Sequence, residues 1–480
     1  MGNRIINWNN LNKTMRYLKK NGIRHAYYAA RERIEEERKE DYCYRPPSEE
    51  ALGRQRRETA DLPYLFSIVV PVYETREEFL RAMIDSVRQQ SYGGWELLLV
   101  DASSSDAVEK IVREIVEEQQ DDRMKYWHFR ENKGISGNTN VGIERASGDY
   151  IALLDHDDLL APDALYHMVK ALQTAKQRGR NPVLLYSDED KLESSASGQL
   201  YYGSPHWKEE FNLDLILSNN YICHFTAVEA EVMKSLQLRG EYDGAQDYDL
   251  VLRVIGKLYE TGPVQDFMHD IVHVPGILYH WRCHADSTAA NTASKSYAYD
   301  AGAAALQDFC DRRGWKGKVG HSLHLGFYQI HYLPDILTAR QDVGIVGGRI
   351  LDRGNRICAG AYQEDGKCMY EGLHREYSGG STHRAALKQD VYAVDIRCMQ
   401  VRPELREVFA QITGAAYRER RISCRTEGGS RERQIADVSG LCCDEAGYRK
   451  LSLEIGRAAA QRGYLVLWDP GLTCNTRVNL

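Results

Sequence analysis

From residue 63 to about residue 290 the chain alternates short apolar runs with stretches of helical spacing. Phe66 to Val72 (Phe-Ser-Ile-Val-Val-Pro-Val) is a β-branched run of buried-strand type; Trp95 to Val100, Met124 to Phe129 and Tyr150 to Leu154 are further runs too short for helices. Between the first two, Phe79, Leu80, Met83, Ile84 and Val87 recur at helical spacing, with Thr75 as the predicted N-cap. Ala107 to Gln119 is a second amphipathic helix. A strand, helix, strand succession of this length predicts right-handed parallel crossovers, and open α/β sheets bind ligands outside the carboxyl ends of such strands. A helix from Pro162 to about Gln177, a strand from Val183 to Tyr186, a helix burying Leu250, Val251 and Val254, and a strand from Ile271 to Tyr279 complete an α/β unit with a mixed sheet.

The flanks follow other patterns. Residues 4–31 carry Arg4, Lys13, Arg16, Lys19, Lys20, Arg24 and Arg31 without an acid, interleaved with Trp8, Leu11, Met15, Ile23, Tyr27 and Tyr28. This basic amphipathic pattern suits either a helical extension packed on the main domain or a peripheral contact with an anionic membrane. Pro46 and Pro47 end it, and residues 48–62 read as a linker or exposed helix. The expected division is therefore an extension over 1–62, a main domain over 63–290, a helix and extended link over 291–340, and a further α/β part over 341–480. That last part holds Gly344, Gly347 and Gly348 but lacks the order of a dinucleotide-binding loop and its later acid.

Composition narrows the function. The 480 residues carry a net charge of −7, which argues against a general nucleic-acid binder. Eleven cysteines without metal-finger spacing suggest reduced thiols in a cytosol. Neither a signal peptide nor a membrane-spanning run is evident, so a cytoplasmic protein is expected, at most at the inner face of the membrane.

Candidate chemistry gathers at predicted strand ends. After Tyr150–Leu154 comes Asp155-His156-Asp157-Asp158, where alternate carboxylates suit Mg2+ or Mn2+ and leave positions open for a diphosphate; the other reading of this turn is a helix N-cap at Asp158. Asp101, ending the second strand, is placed to bond a base or ribose, or to form an Asx turn. Asn132-Lys133-Gly134-Ile135-Ser136-Gly137-Asn138 opens a helix whose amides would face a nucleotide, with Lys133 meeting phosphate charge. Ser187-Asp188-Glu189-Asp190 reads as a second acidic turn, and the aromatic stretch holding Trp207, Phe211 and Tyr221 as sugar-stacking surface or core. Asp247 falls in the first turn of a helix, where a carboxylate suits proton abstraction from a hydroxyl or acts as a plain cap. His280, and less so His284, is placed to complete a metal site, unless either is a packing residue; Arg282 is placed to neutralise a departing diphosphate.

Four motifs in order, Val-Val-Pro-Val-Tyr-Glu, Leu-Leu-Val-Asp-Ala-Ser-Ser, Asn-Lys-Gly-Ile-Ser-Gly-Asn-Thr-Asn and Gly-Asp-Tyr-Ile-Ala-Leu-Leu-Asp-His-Asp-Asp, resemble a family-2 glycosyltransferase of GT-A fold. The resemblance implies that Pro71, Tyr73, Glu74 and Asp101 surround the nucleoside, that Asp155 and Asp157 hold the metal and sugar diphosphate, and that Asp247 is the catalytic base. It further implies a UDP- or dTDP-linked donor, a glycan or lipid-linked acceptor, and inversion at the anomeric carbon. Gln246 stands where the family has Glu or a similar residue. The 341–480 part resembles a truncated, inactive second copy: Tyr448 to Leu453 lies on Asp247 to Leu252, and Val466 to Leu472 on Val272 to Leu278 through a shared Pro-Gly. Two rival readings remain at this level, a non-catalytic glycan-binding protein of the same fold and a nucleotidyltransferase.

Overall fold

The computed structural model describes residues 18, 22–34, 42–195, 198–284, 296–426 and 429–475. They fall into two compact units. One comprises Tyr42–Phe211 and Asn219–His321; the other comprises Asn212–Ser218, Ser322–Leu480 and the described part of Met1–Asp41.

The first unit begins with α1 (Glu49–Thr59), capped by the Ser48 hydroxyl on the Ala51 amide at 3.2 Å, with acids in its first turn and arginines in its last. Then follow β1 (Phe66–Val72), α2 (Glu77–Arg88), β2 (Trp95–Asp101), α3 (Ala107–Gln119), β3 (Met124–His128), α4 (Gly134–Arg145) and β4 (Tyr150–Leu153). These four strands are parallel in the order β3-β2-β1-β4. Val72 lies opposite Asp101, and Val69 opposite Leu153, so the segments leaving β1, β2 and β4 emerge at one edge. The sheet continues through β8 (Thr226–Glu229), β6 (Leu184–Ser194), β9 (Ile271–Arg282) and β5 (Leu159–Leu160), with β7 (Leu200–His206) on β6. β8 runs antiparallel to both neighbours, whereas β9 is parallel to β6. Further helices include α5 (Ala164–Gln177), α6 (Ala230–Leu236), α7 (Gln246–Leu258) and α8 (Ser296–Arg312).

The expected apolar spacing is what packs. Leu80, Met83, Ile84 and Val87 of α2 share one buried core with Leu165, Met168, Val169 and Leu172 of α5 and the strand residues. Gly142 seats α4 close to the sheet, since a Cβ there would stand 2.5 Å from Val69 Cγ1. Two expectations change. Thr75 does not cap α2: Arg76 holds the cap position, and the Thr75 hydroxyl is bonded to His156 Nδ1. Asp188, Glu189 and Asp190 lie within β6 rather than on a turn, because neighbouring strands and loops supply their partners.

The second unit is built on Val343–Leu351, which pairs in parallel with Leu465–Asn475 and antiparallel with Ile357–Ala359 and Met399–Val401. Helix 22–34 belongs here: the Glu32 carboxylate accepts from the amides of Ser378, Gly379 and Gly380 at 2.9, 2.7 and 3.0 Å, and Tyr28 stacks on His374. Arg4, Lys13, Arg16, Lys19 and Lys20 of the basic segment lie outside the described residues. Asn212–Ser218 is held by two hydrogen bonds between Asn212 and the Asp390 backbone, at 2.8 and 3.0 Å, and by buried Arg340 on Asp214 at 2.7 Å. The boundaries expected at 62, 290 and 340 are thus redrawn. The N-terminal helix joins the later unit, and α8 belongs to the first, where Asp308 meets Arg239 at 2.7 Å. No helix of the described residues is long and apolar enough to cross a membrane.

Candidate active site

At the shared edge, the loops after β1 and β2 are stitched together. Glu74 accepts from the Ser104 amide and hydroxyl at 2.9 and 2.6 Å, which holds its carboxyl below the usual range, and its own amide donates to Ser103 Oγ at 2.9 Å. Pro71 lies opposite Val100, and Tyr73 is half exposed at the rim. Asp101 is fully buried; its oxygens accept from the Ser103 amide at 2.8 Å and the Tyr126 hydroxyl at 2.6 Å. These bonds make it a turn-forming residue that shapes the loop.

The start of α4 also differs from expectation. Gly134 has φ +76, and Asn138 fixes the turn by accepting from the Lys133 amide at 3.1 Å and donating to Asn132 Oδ1 at 2.9 Å. The Ser136 amide, 3.3 Å from Asp243 Oδ1, and the Ser136 hydroxyl are both given to that carboxylate. The helix's positive end is therefore met by the protein's own acid, and Lys133 is exposed beside it.

The acids after β4 occupy distinct environments. Asp158 is buried, accepting from the Arg282 amide at 2.7 Å and from the Tyr279 hydroxyl; burial, then Asp155 and Asp157, pushes its carboxyl well up. It ties the turn to β9. Asp155 is also raised, by burial first, with Asp157 and Asp247 adding repulsion against the opposing His224 and His156. Asp247 is thus within electrostatic reach of Asp155. It sits in the first turn of α7, as its position in the sequence implies, and its Oδ2 accepts from Asn220 Nδ2 at 2.9 Å. Asp249, two residues on, is buried between Arg239 and Arg253 and anchors the helix. Gln246 turns back onto the Gly244 amide at 2.7 Å.

His280, expected as a metal ligand, is engaged by another acid. It is buried, its Nδ1 lies 2.6 Å from Asp190, and its ring packs against Tyr44 and Tyr202. The residue near the turn is His284, with Nε2 2.7 Å from Asp157 Oδ2. β9 pairs residue by residue with β6, which commits His280 to Asp190 and lets the chain reach Asp157 only beyond the strand. Arg282, expected on a diphosphate, donates its Nε–H to the Asp157 carbonyl at 2.6 Å. Asp155, Asp157 and His284 offer the donor types, alternate carboxylates and an imidazole, that Mg2+ or Mn2+ takes. A more compact grouping, Asp106, Glu109 and His128, lies on the surface at the start of α3, where Arg113 already pairs with Glu109.

His206 and His224, which carry no sequence signature, gather on Glu189. Glu189 accepts from the His224 amide at 2.8 Å and approaches His224 Nδ1 at 3.1 Å and His206 Nδ1 at 3.2 Å. Burial of the His224 ring works against its charge, but Cys223 and Glu189 prevail and its pKa goes up; the Cys223 thiol is pushed by burial to about 12. Of the aromatic stretch, Phe211 and Tyr221 are core, whereas Trp207 is 54% exposed.

A mixed sheet with acids converging on the carboxyl edge of its parallel strands defines an α/β domain of the GT-A kind. The chain belongs to glycosyl transferase family 2, whose domain covers residues 67–236. Putative glycosyltransferase EpsH of Bacillus subtilis is 30% identical over 257 residues, which cover 50% of this chain and 69% of EpsH. The uncharacterized protein y4gI of Sinorhizobium fredii is 38% identical over 52% of this chain, and the O-antigen biosynthesis protein RfbC of Myxococcus xanthus 31% identical over 57%. The matched regions span only 26% and 20% of those two relatives. Among solved structures, S. aureus TarS 1-349 in complex with UDP aligns at a TM-score of 0.36 and 15% identity, covering 52% of this chain and 65% of that one.

Proposed function

We propose that the protein is a hexosyl- or deoxyhexosyltransferase that moves a sugar from a UDP- or dTDP-linked donor to a hydroxyl of a glycan or lipid-linked acceptor. It acts in cell-surface polysaccharide synthesis, in the cytoplasm at the inner face of the membrane. Family membership and the O-antigen relative support the class of reaction. The observation that carries the reading is that Asp247, far along the chain from the Asp155-His156-Asp157 turn, lies with it in one electrostatic cluster.

Asp247 takes the proton of the acceptor hydroxyl as that oxygen attacks the anomeric carbon. The bond from this carbon to the diphosphate oxygen breaks, its electron pair leaves with the nucleoside diphosphate, and a single displacement inverts the centre. A divalent cation on Asp155, Asp157 and His284, when bound, supplies positive charge against the leaving diphosphate. Pro71, Tyr73 and Glu74 line the nucleoside side, while Asp101, Gly134 and Asn138 hold the loops that shape it and Lys133 meets phosphate at the rim.

The second unit is read as an inactive copy of this architecture. In the first unit, β6 pairs in parallel with β9 and the register slips at Pro275-Gly276; in the second, Val343–Leu351 pairs in parallel with Leu465–Asn475 and slips around Pro470-Gly471. Each final strand follows a helix, α7 in one unit and Glu445–Ala460 in the other. This equivalence sets Gly348 and Arg349 where the first unit has Asp188 and Glu189, and Tyr448 where it has Asp247.

The test is Asp247→Asn. We expect metal-dependent donor binding by calorimetry to persist while nucleoside diphosphate release falls by at least about 100-fold, the low end for loss of a general base. Near-normal turnover in that variant would remove Asp247 from the role.

A further inference from the structure

We infer that Asn220 is the positioning residue that orients the base; the inference rests on the reading of Asp247 given above. Asn220 lies in the loop before β8, three residues before Cys223 and four before His224. Asp155 feels His224 and Asp247, and the Cys223 thiol feels Asp247, so this loop runs along the acid cluster.

The Asn220 Nδ2 donates to Asp247 Oδ2 at 2.9 Å. An ionised carboxylate only accepts, so the asparagine must turn its NH2, and not its carbonyl, toward Asp247. That orientation leaves Asn220 Oδ1 buried without a hydrogen-bond partner. The bond fixes one oxygen of the base and leaves the other to face the incoming hydroxyl. Gln246, the neighbour of Asp247 in the chain, turns its carbonyl oxygen onto the Gly244 amide at 2.7 Å.

Asn220 touches neither reacting atom, so its effect falls on turnover and not on donor capture. The measurement is nucleoside diphosphate release from whichever UDP- or dTDP-sugar the unaltered protein hydrolyses fastest, with water as acceptor and Mn2+ present. Asn220→Asp keeps the shape but loses the donor and sets an acceptor-only group against Asp247. Asn220→Ala removes the side chain. Both variants should bind the nucleoside diphosphate within twofold of the unaltered protein and keep KM for the donor within twofold. Both should lose kcat on the order of 100-fold, the scale of a misplaced catalytic group. Asn220→Gln, which keeps an amide donor on a longer arm, should recover part of that loss.

Unchanged kcat in Asn220→Asp and Asn220→Ala, beside an inactive Asp247→Asn, overturns this inference and leaves the base assignment standing. Full activity of Asp247→Asn overturns both. If Asn220→Ala fails to fold, Asn220→Leu, similar in shape, uncharged and without a donor, decides alone, because a packing role tolerates it and a donor role does not.

Discussion

Two histidines, one within β9 and one just beyond it, have different partners. His284 meets Asp157, whereas His280 is sealed against Asp190 between two tyrosine rings. In calorimetric titrations of Mn2+ with a nucleoside diphosphate, His284→Ala should weaken metal-dependent binding by about tenfold or more. His280→Ala should leave that titration unchanged and lower the melting temperature instead. A further residue, His273, binds Asp188 at 2.8 Å, and although burial opposes its charge, Asp188 and Glu210 raise its pKa to about 9. A histidine raised in the folded state adds stability that is whole below its unfolded value, about 6.5, and is lost as pH rises through about 9. Thermal melts should therefore show stability falling between those values, by at most about 3 kcal/mol from this group, and His273→Gln should flatten that slope.

The elements that position the site are those whose signals are local. β1, β2 and β4 are readable as short apolar runs, and α2 and α7 as periodic ones, which is why Asp155 and Asp247 could be placed at a strand end and a helix start. What the sequence hides depends on pairing between distant segments. The acids of β6 look like a turn until Asp188 is seen to accept from the Lys208 and Gly276 amides at 2.8 Å. Asn220 and His224 sit on a loop with no periodicity, and their roles follow only from what α7 and β6 bring beside them. Glycines in the later unit teach the same lesson. Gly347 and Gly348 lack the order of a dinucleotide-binding loop, and they lie inside a strand where a Cβ on Gly348 would stand 1.9 Å from the Leu472 carbonyl oxygen. Gly348→Ala should destabilise the second unit by about 3 kcal/mol or more, measured by urea unfolding. Gly440→Ala, with nothing within 4 Å of its Cβ, should stay within about 0.5 kcal/mol.

At the scale of the whole molecule, the unit boundaries do not follow the chain's order. Asn212–Ser218, between β7 and β8, belongs with residues more than a hundred positions later, held by buried Arg340 and by Asp390. Arg340→Met leaves Asp214 buried without its guanidinium and should cost about 3–5 kcal/mol, read as a lower melting temperature. A chain ending at residue 321 should melt lower still or aggregate, because the whole partner surface of that segment is gone. The excursion also bears on synthesis. As the polypeptide leaves the ribosome, Leu213, Leu215, Ile216 and Leu217 emerge well before Arg340 and Asp390 have been translated, so a pause in that interval leaves a greasy stretch bare to chaperones and to neighbouring nascent chains.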